Sequence, residues 1–181
     1  MRPYRRRSTG HLRKPHMLDA TDDDGWVDDD EDVHISTWTP LPFGSHAGKT
    51  LPQVICADPA WFLWLTRQTS LYGAIAHDAR VLHRRIRAIR IPKRRPQEWR
   101  VEYRYDVDQR FVGFDIVRAD SWASKHNSRL PFLNIDLIRA RLRGEWNNFV
   151  RDLRRIYFGG KPLTKERAER FFGDPSNFVD P

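Results

Sequence analysis

Pro42-Phe43-Gly44-Ser45-His46-Ala47-Gly48-Lys49-Thr50-Leu51 sets two glycines, a histidine and a lysine ahead of an aromatic segment, at spacings suited to holding an anion. Gly44 and Gly48 open backbone angles closed to other residues, so the interval between them should turn tightly. Turn amides, His46 and Lys49 would then face a phosphate backbone together. A nucleoside-triphosphate cradle does not fit. That loop needs four residues between its glycines, whereas three stand here, and Pro52 falls where the cradle's helix should already be running. The plainer alternative is a glycine-enabled turn with an exposed lysine.

A second constellation is larger. Between Arg80 and Arg100 stand nine bases (Arg80, Arg84, Arg85, Arg87, Arg90, Lys93, Arg94, Arg95, Arg100) against one acid, Glu98. Guanidinium groups match phosphate geometry, and a helical stripe of them can follow a nucleic-acid backbone. The expected contact residues are Lys49, His46, Arg80, Arg84, Arg87, Arg90, Lys93, Arg94 and Arg95. Alternatives are a solvated face, or pairing with the acidic N-terminal block. A run from Arg139 to Arg155 is a lesser candidate, interrupted by Glu145 and Asp152.

Catalytic chemistry has weaker footing. Glu102, Asp106, Asp108 and Asp115 lie on or near an expected hairpin, where paired carboxylates could hold Mg²⁺ for phosphodiester cleavage. A restriction-type nuclease also needs a lysine two residues after its acid, and Asp115 is followed by Ile116 and Val117. His126-Asn127 matches a fragment of a His-Asn nuclease motif without the accompanying histidines. Cys56, just before a helix start, is either an activated thiol or a small buried side chain. No catalytic residue, metal or cofactor is expected. Three functions remain in view: nucleic-acid binding, protein–protein adaptation through tryptophans, and metal-dependent nuclease activity.

Charge supports the first. The 181 residues carry 32 Lys/Arg and 24 Asp/Glu. Residues 1–18 hold six of the bases and no acid, and residues 19–32 hold nine of the acids and no base. Residues 33–181 keep 26 bases and 15 acids, a balance that steers polyanions toward the body. Seven Trp and ten Phe carry much of the available apolar burial. No run approaches the roughly 18 apolar residues of a membrane span. The basic N-terminus lacks the apolar core of a secretory signal. Cys56 has no partner for a disulfide or a multi-cysteine zinc site, which points to a reducing, cytoplasmic setting, nucleoid-associated in a bacterium.

These residues need elements to position them. Residues 1–33 are expected to form a disordered basic-then-acidic tail, too poor in apolar groups to offset chain entropy. The acidic block could lie on the basic body and compete with nucleic acid for it; the plainer alternative is a tail whose charges interact only weakly at cellular salt. One α+β domain should span 34–175. His34 to Thr39 alternates like a short strand, and Lys49-Thr50-Leu51 could start another. Asp58 and Pro59 open a helix running to about Gln68. A second helix fits Ser70 to Arg90, with Leu71, Ile75, Ala79, Leu82, Ile86 and Ile89 on its apolar stripe. Lys93-Arg94-Arg95-Pro96 is a basic connector. Residues 98–118 read as an antiparallel hairpin turning at Asp108-Gln109, with one aromatic face and one charged face. Residues 119–134 look irregular. A long helix fits Asn134 to Tyr157, weakened at Gly144 and ended by Gly159-Gly160. A short helix from Thr164 to Phe172 follows, then a loose tail at 176–181.

Residues 38–68 resemble the small C-terminal accessory module of exonuclease X-like proteins. The likeness lies in Pro42-Phe43-Gly44, then Gly48-Lys49-Thr50-Leu51, then Asp58-Pro59-Ala60-Trp61-Phe62-Leu63-Trp64-Leu65. It implies a strand-turn-helix unit that binds nucleic acid, DNA ahead of RNA, beside a DNA-processing protein. Two lysines usual between the module's glycines are Ser45 and Ala47 here, and the aromatic between them is His46. The rest of the chain carries no sign of the exonuclease domain, so cleavage is not implied.

Overall fold

The structure, a computed structural model, describes residues 37–68, 70–138 and 140–179. The expected tail over 1–33, the strand positions 34–36, Arg139 and the last two residues lie outside them. The described chain is α+β, as its pattern predicts. Five helices are α1 (Leu51–Ala57), α2 (Pro59–Leu65), α3 (Gly73–Ile86), α4 (Arg143–Tyr157) and α5 (Lys165–Gly173). Three strands are β1 (Trp99–Tyr105), β2 (Phe111–Arg118) and β3 (Ser128–Leu130), antiparallel in the order β2-β1-β3. Among the described residues, no helix is long and apolar enough to cross a membrane.

The N-terminal part departs from the expected strands. Thr37 to Thr39 is not a strand. Instead Trp38 is buried with its indole Nε1 donating to the Glu169 carbonyl (3.2 Å), and the Thr39 amide donates to Asp78 Oδ2 (2.7 Å). Nor does Lys49-Thr50-Leu51 start a strand. Thr50 is the N-cap of α1, and Gln53 Oε1 reaches back to the Thr50 amide at 2.9 Å. Pro52 sits in that helix's first turn, where a missing N–H costs nothing. A helix therefore does run through Pro52, and glycine spacing alone excludes the triphosphate cradle. Asp58 caps α2 as expected, accepting from the Trp61 amide at 3.2 Å.

Apolar stripes decide which faces go inward. α3 buries Ile75, Ala79, Leu82 and Ile86 but stops at Ile86. Ile89 joins the core in extended backbone, bridging both Leu133 and Phe178. The predicted loose tail is therefore packed as far as Val179: Phe178 is buried, and the Val179 amide donates to the Ala88 carbonyl at 2.9 Å. The helix expected over Asn134–Tyr157 begins only at Arg143. Asn134 caps a short 3-10 turn instead, and Ile135 and Ile138 reach the core from it. Gly144 lies in the first turn of α4 and introduces no break. Gly159 and Gly160, both at positive φ, end the helix.

The hairpin forms, and Val101, Tyr103 and Phe114 are buried as predicted. On the returning strand Val112, expected on the same face, is exposed and Phe111 is buried instead, because a bulge leaves Val112 unpaired. Its connection spans Asp106–Arg110, with Asp106 Oδ1 accepting from the Asp108 and Arg110 amides (3.0 and 2.8 Å). A bulge between Arg104 and Tyr105 shifts the register against β2. The opposite face is charged but not simply solvated, because Glu102 is buried beneath Arg129 of β3. That third strand lies in the stretch expected to be irregular.

Candidate nucleic-acid interface

The glycine loop is closed by its own backbone. The Leu41 amide donates to the Lys49 carbonyl (2.9 Å), and the Gly48 amide donates to the Leu41 carbonyl (2.8 Å). Gly44 and Gly48 take φ of 76° and 79°, the conformation the turn required of them. His46 points inward. Its Nε2 lies 3.1 Å from Asp58 Oδ2, and its ring stands edge-on to Trp61 at 4.9 Å. It ties the loop to α2, which corrects the expectation that it faces a phosphate. The carboxylate of Asp58 serves both partners. Lys49 stays exposed on the turn, and no described contact joins its side chain to the arginines of α3.

Those arginines divide by what they touch. Arg80, Arg84 and Arg87 follow one another at helical spacing on the outer side of α3 and its C-cap, all exposed. The side chains of Arg84 and Arg87 have no ion-pair or hydrogen-bond partner among the described residues. Arg85 instead turns into the core. It donates to the Phe172 carbonyl and lies over the Phe178 ring at 5.4 Å. Arg90 is also committed to the fold, donating through Nε to Ser176 O (3.1 Å) and through Nη2 to Phe178 O (2.7 Å). It clamps the C-terminal segment, which removes it from the expected contact set.

Beyond α3 the chain makes a tight connector. Lys93 Nζ sits 4.9 Å over the Trp99 ring, Arg95 pairs with Glu98 at 3.3 Å, and Arg94 is exposed with no described side-chain partner. Arg95 holds φ of 124°, a conformation that costs a non-glycine residue about 1–3 kcal/mol. Lys93, Arg94, Arg95, Glu98 and Trp99 line an open depression of about 370 Å³. Glu98 is shared with Arg118 at 3.8 Å, so one carboxylate serves two guanidiniums and the rim keeps net positive charge. Next to the stripe, His83 is held below its ordinary pKa. Burial is the main cause, and Arg87 and Arg67 add to it against the opposing pull of Asp136 at 3.6 Å.

The second arginine run behaves differently. Asp152, 3% exposed at its side chain, takes Arg151 Nε at 3.1 Å, and has Arg155 at 3.7 Å and Arg104 at 4.0 Å. Its Oδ2 also accepts the Phe114 amide at 3.1 Å. Arg155 reaches Asp115 as well, at 3.4 Å. Phe114 belongs to the edge strand β2, so the carboxylate covers backbone that would otherwise be open to pairing.

Three of the four acids considered for catalysis are occupied likewise, and the fourth, Asp108, is exposed at the hairpin turn. Glu102 pairs with Arg129 at 2.8 Å, Asp106 caps the hairpin turn, and Asp115 faces Arg155. Among the described residues, no three of His, Cys, Asp and Glu gather as a metal centre requires. Cys56 is buried in α1, and burial pushes its thiol up to about 12, so the reactive thiolate is suppressed near neutrality. Sequence reasoning missed Arg129 and the loop it holds. Their only signal was the alternation Ser128-Arg129-Leu130, too short to stand out from its surroundings. No protein-family model matches the chain, and no curated protein or solved structure matches it either.

Proposed function

We propose that the protein is a non-catalytic nucleic-acid-binding accessory protein, gripping the phosphate backbone through the outer side of α3 and the Lys93–Arg95 connector. The carrying observation is that Arg84, Arg87 and Arg94 are exposed and have no acidic partner among the described residues. Arg80 and Lys93 flank them. Arg85, Arg90, Arg129 and Arg151 are provided with carboxylates or carbonyls, whereas cations left without them, grouped on α3 and the connector, are suited to an external anion. Lys49 is an outlying contact, while His46 and Arg90 serve the fold. Further support comes from the basic balance of residues 33–181 and from the likeness of residues 38–68 to an exonuclease X accessory module, which favours DNA and a DNA-processing partner.

Duplex DNA of unrelated sequences, titrated at low and moderate salt with and without Mg²⁺, tests this reading. About four phosphate contacts predict a loss of about 150-fold in affinity between roughly 50 and 200 mM salt, without cleavage. Salt-insensitive binding, or no binding to either duplex or single-stranded DNA, would contradict it, and Mg²⁺-dependent cleavage would return the nuclease. The adaptor reading is favoured by one feature: Phe43 and Trp64 remain substantially exposed on the N-terminal unit. It predicts a co-purifying protein that nuclease treatment does not remove.

A further inference from the structure

Trp122 is 86% exposed, and its indole meets no other aromatic ring and no hydrogen-bond partner among the described residues. It stands on the loop between β2 and β3, and that loop is braced. The Arg129 guanidinium donates to Ser121 O (2.7 Å), Ser121 Oγ (3.2 Å) and Trp122 O (2.7 Å) while paired with buried Glu102. Ser121 Oγ in turn donates to Arg118 O at 2.7 Å. A large apolar ring is thus held out in water from a fixed backbone, where an apolar surface would ordinarily be turned inward.

The same loop starts beside the cationic depression. Its first amide, Ala119, donates to the Glu98 carbonyl at 2.8 Å, and Arg118 is paired across the sheet with Trp99. Trp122 stands three residue steps beyond Ala119, a reach of at most about 11 Å, or about three nucleotides stacked at 3.4 Å. Lys93, Arg94 and Arg95 therefore lie at one end of the sheet together with an unpartnered indole. Cations that track phosphates and an aromatic face that takes a base are the two parts of a single-strand site. Duplex DNA offers the cations the same phosphates but keeps its bases stacked away from the ring.

We infer that the ligand is unpaired nucleic acid, with a base stacked on Trp122 and the neighbouring phosphates on Lys93–Arg95. This rests on the nucleic-acid reading above, and the test separates the two. Labelled oligo-deoxythymidine and a blunt duplex are titrated against the full chain and against Trp122→Ala and Trp122→Phe. Trp122→Ala should weaken oligo-deoxythymidine binding by about tenfold and leave duplex affinity and the salt slope unchanged. Trp122→Phe should recover most of the loss. Equal losses on both ligands, or no loss on either, would overturn the inference while nucleic-acid binding stands. If the unmodified protein binds neither ligand, the underlying reading fails as well. A thermal melt of each variant, expected to coincide with that of the unmodified chain, keeps unfolding from imitating the result.

Discussion

Two groups of arginines lie on this fold, and their difference separates structure from function. Arg104, Arg151 and Arg155 converge on Asp152, which also holds the Phe114 amide of the sheet edge. Arg84, Arg87 and Arg94 are equally cationic but have no carboxylate among the described residues. The first group neutralises a buried charge and closes an edge strand. The second leaves positive charge at the surface, where only solvent or an external anion can answer it. Counting arginines along the chain does not distinguish them; the position of the acids does.

The largest expected effect comes from breaking the paired group. Asp152→Ala should cost about 2–3 kcal/mol in denaturant unfolding, because the buried Phe114 amide loses its acceptor and three half-exposed guanidiniums lose their shared carboxylate. A loss below about 1 kcal/mol would show that the collar is ornamental. Gly113→Ala attacks the same group without removing a charge. A methyl there would collide with the Asp152 carboxylate, which cannot retreat from its partners, so a cost of about 1–3 kcal/mol is expected. Unchanged stability would mean that the collar moves freely. Asp58→Ala tests whether the glycine loop belongs with structure. Removing the cap of α2 and the anchor of His46 should cost about 1 kcal/mol and leave nucleic-acid affinity unaltered, and a large affinity loss would return the loop to the contact surface.

The smallest expected effect concerns His83. Its pKa lies below the ordinary 6.5, first through burial and then through Arg87 and Arg67 against Asp136. A depressed base disfavours protonation in the fold, so its contribution to stability is complete above about pH 6.5 and fades as pH falls through that value. Replacing Arg87 with Ala should move the His83 titration upward in an NMR pH series. No movement would mean that Arg87 does not place its charge at the stripe.

The hairpin was legible because the seven residues of β1 alternate and a wrong register would expose Tyr103 and Phe114, but β2 alternates less cleanly, and its bulge turned Val112 outward and Phe111 inward against the pattern. β3 was not, since three residues hold too little alternation. The start of α4 was misjudged for a physical reason: Ile135 and Ile138 have helical spacing, but core burial can also be met from a 3-10 turn capped by Asn134. The helix α1 was overlooked although Thr50 and Gln53 form half a capping box, because Pro52 reads as a breaker when its place in the first turn is ignored. At the candidate site the cations were visible and their partners were not. Arg90 meets Ser176 and Phe178, and His46 meets Asp58; the Arg90 contacts in particular span sequence distances that a local pattern does not encode.

The central claim is that unpaired cations, not arginines in general, hold nucleic acid. Its most direct test is the slope of binding affinity against salt for three proteins. Replacing Arg84, Arg87, Lys93 and Arg94 with Ala should lower the slope by about three to four, near one per lost phosphate contact. Replacing Arg104 and Arg151 should lower it by less than about one, since both guanidiniums are held against Asp152 rather than free to take a phosphate. An unchanged slope in the first variant, or an equal fall in the second, would contradict the claim.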